Sequence, residues 1–386
     1  MSTRTAGLLA SVGATIPVVA APMAGGPSRP ELVLAAAATG GVGFLAAGYK
    51  SPEDLRVQIQ QVQRATPRFG VNLFVPNQVP IEPAALERHR AAVQRWLSDH
   101  ARAGGDWTGE VELPEINSLA GVIRATGAPG APAVNGAPAV IGAPAEVWDD
   151  SWEQKLQVLE ADPVPLISMT FGLPSARDLA RLQATGAKVL QTVTCVAEAE
   201  SAARAGVDGL IVQCSSAGGH SGTWTPRDPP AEVGLLELIH AISSRTELPL
   251  WAAGGIADAA RVSAALHAGA EAAVLGTALL RCPESGTHPA HQQALADPPG
   301  VPETILTTAF SGRPARALRN SFTDALTTSA PSGFPALHQL SAGLRRAAGA
   351  AADPHGLNLW AGTGFAAARP DPAGEVMRRL AGDHRV

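Results

Sequence analysis

"PLWAAGGIADAARVSAALHAGAEAAVLGTALL", residues 249–280, contains the repeating pattern from which the fold can be read. An apolar run at 249–253 stops at a glycine pair. An Ala-rich helical stretch at 257–268 stops at Gly269, and a second apolar run at 272–275 stops at Gly276 and Thr277. Glycine just past the last turn is a helix C-cap signature. Uninterrupted apolar runs are strands buried on both faces, and such strands joined by helices form a parallel sheet. The stretch therefore predicts strand, helix, strand.

The same pattern recurs outward from it. Candidate strands are 17–21, 42–46, 70–74, 165–169, 188–192, 209–213, 249–253 and 272–275, and candidate helices include 30–39, 52–64, 175–185, 197–205, 231–243 and 257–268. Eight such units predict an α/β fold of the closed (β/α)8 TIM-barrel type rather than an open doubly wound sheet. Two segments interrupt the alternation. The barrel is assigned to residues 1–75 and 163–281, with an insertion at 76–162 after the third strand. The insertion carries a Gly/Ala/Pro-rich tract, 127–145, read as extended loop because Pro and Gly both oppose helix. Residues 282–386 are read as a helical C-terminal part, with helices at 333–350 and 373–381, that completes the barrel and joins the insertion in a mostly helical cap.

Composition narrows the function. The chain has 386 residues, 46% hydrophobic and 16% charged, enough for a large core. Its net charge is −5 with no Lys/Arg-rich block, and aromatics are 4%, so neither a nucleic-acid nor an anionic-membrane surface is expected. Three isolated cysteines without a C-x-x-C predict no disulfide framework or cysteine zinc site and suit a reducing cytoplasm. His288 and His291 have helical spacing but no third ligand nearby, so no metal is expected. The apolar N-terminal stretch is broken by Gly13, Thr15 and Pro17, which favours a buried strand over a signal peptide. No run is long and apolar enough to span a membrane. A cytoplasmic enzyme, monomer or homodimer, is expected.

In this fold, active-site groups come from the C-terminal ends of strands. Those ends carry "APMAGG" (21–26), Asn72, "VQCSSAGGHSG" (212–222), Gly254 and Gly255, and Gly276 and Thr277. Glycines in the loops after the last two strands suit a phosphate. The backbone comes close, a helix N-terminus faces the anion, and Thr277 adds a hydroxyl. The alternative there is tight helix–strand packing without a ligand. Asn72 and Gln213 are amides ending apolar strands. They either bond a loop internally or address the polar edge of a flat heterocycle. His220 is a histidine at a strand end, in an open glycine-rich turn. It is assigned a catalytic or substrate-orienting role, since its proton affinity lies near neutral pH. No G-x-S-x-G, Walker loop or G-x-G-x-x-G after a strand is present, which removes support for hydrolase triads and a Rossmann nicotinamide site.

These motifs resemble those of class I nitronate monooxygenases, formerly 2-nitropropane dioxygenases. The matching pieces are "APMAGGPSRPELVLAAAATGGVGFLAAGY", "FGVNLFVP", "SMTFGLPS", "AGGHSG", "AAGGIAD", "LGTALLRCPESGTHPAH", "FSGRPARALRN" and "LWAGTG", in family order over nearly the whole chain. The resemblance implies a barrel that holds FMN non-covalently. Its phosphate would lie at Gly255, Val274, Leu275, Gly276 and Thr277, with Gly218 lining the site, and Gly219 and Gly254 of the same loops are assigned to cofactor binding with them. Asn72 and Gln213 would bond the flavin or its ribityl chain, Met23 would lie beside the ring system, and His220 would be the active-site histidine. The implied reaction is oxidation of alkyl nitronates, or of nitroalkanes, by O2 to a carbonyl compound and nitrite. A charged His220 would stabilise the anion, whereas a neutral one would remove an α-proton. The alternatives are a related FMN barrel acting on another nitro compound of specialised metabolism, and an NAD(P)H-dependent enoyl-thioester reductase. The chain departs from the family pattern near the site. Cys214 replaces a common glycine, Ser216 a glutamate, Ser221 an arginine, and His291 and Gln292 a tyrosine and a lysine.

Overall fold

The computed structural model describes residues 7–77, 81–119 and 149–386. The Gly/Ala/Pro-rich tract at 127–145 lies outside the described residues. Eight parallel strands close a barrel: β1 (Val18–Ala20), β2 (Val42–Ala46), β3 (Phe69–Phe74), β4 (Leu166–Thr170), β5 (Lys188–Val193), β6 (Gly209–Gln213), β8 (Leu250–Ala253) and β9 (Ala272–Leu275), with β9 returning to β1. Each candidate strand is a barrel strand. The last two strands register Ala253 against Val274, and β1 registers Ala20 against Leu275, so the glycine loops after β8 and β9 emerge side by side.

Alternation along the strands decides which side chains can reach a ligand. Val19, Phe44, Leu166, Leu190, Ile211, Trp251 and Val274 meet in one buried cluster inside the barrel. Their neighbours Val71, Ile167, Val189, Leu210, Val212, Ala252 and Leu275 join the cluster shared with the surrounding helices. The N-terminal end of the barrel is plugged by α1 (Leu8–Ser11). Glu271 ties the plug, accepting from Leu9 N at 2.9 Å and from Trp251 Nε1 at 2.9 Å. With that end filled, the C-terminal end is left for a ligand.

The outer helices are α2 (Pro30–Ala38), α3 (Pro52–Gln63), α5 (Trp152–Ala161), α6 (Ala176–Ala184), α7 (Val196–Ala205), α8 (Leu235–Ser243), α9 (Ala259–His267) and α14 (Ala373–Ala381). Several begin at the residue types that cap a helix. Ser51, Ser175 and Asp258 accept the N–H three residues on, and Pro52 occupies a first position where no N–H is needed.

A second core stands over the C-terminal end. The insertion contributes α4 (Pro83–Arg102), whose Leu86, Val93, Trp96 and Leu97 fall on one face. They pack on Phe310, on Phe322 of α11 (Ser321–Leu326), on Leu337 and Leu340 of α12 (Ala336–Leu340), and on Leu344 of α13 (Ala342–Ala350). The single helix expected at 333–350 is thus two. They meet at Ser341, whose hydroxyl donates to Phe310 O at 2.6 Å.

The C-terminal part also carries strands, beside the helices expected there. β10 (Thr304–Thr307) and β11 (Ala315–Leu318) pair antiparallel, and β11 pairs with a two-residue strand, β7 (Gly219–His220). That partnership lies about a hundred residues away, and no local pattern announces it. A helix α10 (Pro289–Ala296) lies between β9 and β10. No described helix is long and apolar enough to cross a membrane.

Candidate active site

A cavity of about 450 Å³ opens at the C-terminal ends of the strands, beneath the cap. Of the sequence-predicted residues, Met23, Asn72, Gln213, Gly218, Gly219, His220, Gly254, Gly255, Val274, Gly276 and Thr277 line it. Leu275 does not. It is fully buried toward the helix layer, because successive strand residues face opposite sides and Val274 takes the inward position.

The glycine loop after β8 has φ 114° at Gly254 and 68° at Gly255, a region that other residues avoid. A Cβ on Gly254 would also lie 2.7 Å from Cys214 Sγ. The sequence reading expected a helix to open at Thr277, but Thr277–Leu279 is a single 3-10 turn. No long helix dipole therefore points at this corner, and an anion here would be met by individual N–H and O–H groups. Thr277 Oγ1 accepts from Gly362 N at 2.9 Å, which leaves its own proton to donate.

The two amides behave differently. Gln213 is used internally. Its Oε1 accepts from Gly222 N at 2.7 Å, and its Nε2 donates to His220 O at 3.3 Å, which staples both arms of the glycine loop. Asn72 commits only its Nδ2, to Ser168 Oγ at 2.9 Å and Thr170 Oγ1 at 3.0 Å. Its carbonyl oxygen remains available to a ligand donor.

His220 is not in an open turn. It pairs with Ala315 across β7 and β11, and Ser221 N donates to Pro314 O at 2.8 Å. Its Nε2 lies 2.9 Å from Ser311 Oγ, and the serine hydroxyl is 3.2 Å from Arg313 O. With the serine hydroxyl donating along the shorter of these contacts, to Nε2, the neutral imidazole carries its proton on Nδ1. Phe171, Phe334 and Trp360 surround the ring at centroid distances of 6.0, 6.0 and 5.2 Å. Burial, followed by the nearby charges of Arg313 and Arg345, pushes His220 down to about 3. Burial thus favours the neutral imidazole over the charged form considered from sequence.

Positive charge comes from elsewhere. Arg345 lines the cavity and donates from NH2 to His338 O at 2.8 Å and from Nε to Ser341 Oγ at 3.1 Å. Arg313 is fully buried, with its guanidinium carbon 3.8 Å from the centroid of Phe171 and NH1 donating to Thr223 O at 2.6 Å. Tyr49 stacks on His338, with centroids 4.5 Å apart and planes 6° apart. No Asp or Glu lines the cavity. Among the described residues no group of His, Cys, Asp or Glu is placed to hold a metal ion.

Sequence reading missed Tyr49, Phe171, Ser311, Arg313, His338, Arg345 and Trp360. Ser311, Arg313 and Trp360 stand within recognised motifs, but Arg345 and His338 lie on cap helices with nothing local to mark them. The unusual residues mostly have packing partners. Cys214 sits under Gly254, Ser216 O accepts from Thr363 N at 3.1 Å, and Gln292 Nε2 donates to Leu280 O at 3.2 Å.

Burial also pushes His89 and His291 down to about 4, and His338 well below its usual value. Each of these folded-state values is depressed, so below about pH 6.5 the unfolded chain binds more protons and stability falls as pH drops. At pH 5 His89 alone is expected to withdraw roughly 2 kcal/mol. Calorimetric melts at pH 7.5, 6 and 5 measure it, and a melting temperature constant over that range contradicts it.

Residues 8–383 match the family model described as nitronate monooxygenase. The nitronate monooxygenase of Pseudomonas aeruginosa is 33% identical over 375 residues, covering 96% of this chain and 96% of that one. A probable nitronate monooxygenase of Bacillus subtilis is 31% identical over 356 residues, 91% of this chain and 90% of the relative. A solved structure of nitroalkane oxidase from Streptomyces ansochromogenes superposes with TM-score 0.81 at 38% identity, covering 97% of this chain and 96% of that one. FabK from Thermotoga maritima, at TM-score 0.65 and 20% identity over 97% of this chain and 94% of that one, shares the fold.

Proposed function

The chain belongs to the nitronate monooxygenase family, and from that premise we propose that it binds FMN and uses O2 to oxidise an alkyl nitronate to a carbonyl compound and nitrite. The observation that carries the substrate side of this reading is the acid-free cavity wall, with Arg345 as its permanent cation. A cavity without carboxylates, containing a guanidinium in a low-dielectric setting, favours an anion over its neutral conjugate acid.

The residues present fit the cofactor. Gly276 has φ −107°, and a Cβ there would make only ordinary contacts, 3.7 Å or more away. Packing does not ask for glycine at that point, whereas a phosphate brought against the main chain would. Gly254, Gly255, Gly276 and Thr277 would hold that phosphate, Asn72 would offer its carbonyl oxygen to the flavin, and Met23 would pack beside it. Bound flavin supplies the redox chemistry, and the protein supplies position and electrostatics.

His220 acts as a neutral imidazole. It orients the nitronate oxygens through an N–H, while Arg345 balances the charge. An imidazole with so low a proton affinity is a poor base for a carbon acid. Nitronates are therefore expected to turn over far faster than their parent nitroalkanes. The test is oxygen uptake and nitrite release by FMN-loaded enzyme over propionate 3-nitronate, simple alkyl nitronates and the matching nitroalkanes. FMN-loaded protein that gives no nitrite with any of them sinks the reading. Bleaching by NADH without air would point to the reductase instead.

Arg345→Met is expected to raise KM for a nitronate about 10- to 100-fold, since hydrogen bonds to charged groups contribute roughly 1.5–3 kcal/mol. Flavin content should hold. Steady-state kinetics beside the visible spectrum decide, and an unchanged KM removes Arg345 from the site.

A further inference from the structure

A buried ion pair outside the cavity holds one turn of its wall. Asp150 and Lys155 face each other at 2.8 Å with side-chain exposures of 5% and 1%. Burying two charges is weak evidence for a role in stability, because desolvation offsets much of the attraction. The remaining bonds of the pair are more informative. Lys155 Nζ donates to Ala47 O at 2.9 Å, and Asp150 Oδ1 accepts from Tyr49 N at 3.0 Å. Ala47 and Tyr49 are two residues apart, directly after β2. The pair therefore grips both ends of the turn that carries the chain out of the barrel into the cavity.

That turn needs a restraint. Tyr49 has φ 67°, Asp150 57° and Ser151 56°, three non-glycine residues in the left-handed region within one contact network. Such conformations persist where the surroundings over-determine them, and they gather where a side chain must be aimed. Here the aimed side chain is the phenol ring. It stacks on His338, stands edge-on to Phe74 at 5.5 Å, and so braces the wall from which Arg345 reaches the cavity. Gly48 beneath it admits no side chain, because a Cβ would lie 2.2 Å from the Phe74 ring.

We propose that Asp150 and Lys155 are positioning residues for substrate. They lock the 47–49 turn so that Tyr49 and His338 present a fixed flat surface to the part of the substrate that does not react. The inference rests on the nitronate reading of the cavity and names the device that sets its shape. It assigns the pair no contact with substrate or cofactor.

The test uses FMN-loaded full-length enzyme and five variants. Asp150→Ala removes the acceptor for Tyr49 N. Asp150→Asn keeps an acceptor oxygen in the same place. The double variant D150L/K155M removes both bonds to the turn without leaving a lone buried charge, and it serves if the alanine variant fails to fold. Tyr49→Gly removes the ring while tolerating the positive φ. The fifth variant combines D150A with Y49G.

D150A and D150L/K155M are expected to raise KM at least 10-fold while moving kcat less than 3-fold, and D150N is expected to stay within 3-fold of the wild-type KM. In the Y49G background D150A should add less than 2-fold, because the residue it positions is already gone. An unchanged KM in D150L/K155M, or a full additional rise in the Y49G background, overturns the proposal. A crystal structure of D150L/K155M gives a readout independent of turnover. Tyr49 leaving the left-handed region and His338 supports the proposal, and Tyr49 unmoved refutes it. A wild type inert toward every nitronate would instead count against the proposed function, and the structural readout would still decide the role of the pair.

Discussion

His220→Asn is expected to lower kcat/KM for a nitronate by about 10²- to 10³-fold, the loss typical of one preorganised hydrogen-bond donor at a reacting anion. The backbone of residue 220 is fixed by its pairing with Ala315 and by Gln213, so the substitution changes the ring and not the loop. Asparagine is neutral, as His220 is, so charge is conserved. What is lost is reach and the alignment imposed by Ser311 at 2.9 Å. Flavin should remain bound, because the glycine corner lies apart from the imidazole. The wild-type pH profile should show no acid limb from this group above about pH 5, since a histidine held near 3 changes charge only below that range. Stopped-flow reduction and steady-state oxygen uptake measure the effect. Wild-type turnover in the FMN-loaded variant would remove the catalytic assignment.

Gly254→Val is expected to yield protein that folds but is purified with little or no flavin, with FMN affinity reduced at least 100-fold. Two penalties combine. A β-branched residue at φ 114° is outside the allowed region, and its Cβ would collide with Cys214 Sγ at 2.7 Å and Ala217 N at 3.0 Å. The loop must move to relieve both, and it carries Gly255 with it. Strain of this type costs roughly 1–3 kcal/mol, and displacement of the backbone proposed to meet the phosphate adds to it. Flavin absorbance per protein and titration with FMN quantify the change. A variant that binds FMN as the wild type does would show that this loop is not the cofactor corner.

The barrel was legible because each of its strands is written locally. Eight apolar runs, several helices ended by glycine and caps such as Ser175 and Asp258 carry their own instructions, and neighbours in sequence become neighbours in space. The site was legible only where it draws on those strands. Met23, Asn72, Gln213 and the glycines of the last two loops follow from position alone. Leu275 differs by parity: of four consecutive residues alternate side chains leave the barrel, and its side chain is one of those. His220 was found, but its surroundings were not. Its partner strand is formed by Ala315 and Arg316, and nothing between 213 and 222 predicts that the turn is pinned. Arg345 and His338 were invisible because a cap helix aimed at a cavity has the same amphipathic pattern as one aimed at a core. Tyr49 sits three residues past a strand, and its left-handed backbone is set by Asp150, a hundred residues later.

A late segment packs against the glycine loop after β6. A Cβ on Gly218 would lie 2.4 Å from Gly362 N, and Leu357, Leu359, Trp360, Gly362 and Gly364 all line the cavity. These residues stand near the end of a 386-residue chain, whereas the barrel strands are complete at Leu275. During synthesis the barrel therefore has all its strands more than eighty residues before its ligand chamber has a roof. The last barrel helix, α14, emerges after that roof, so the outer layer of the scaffold and its chamber close together rather than in turn.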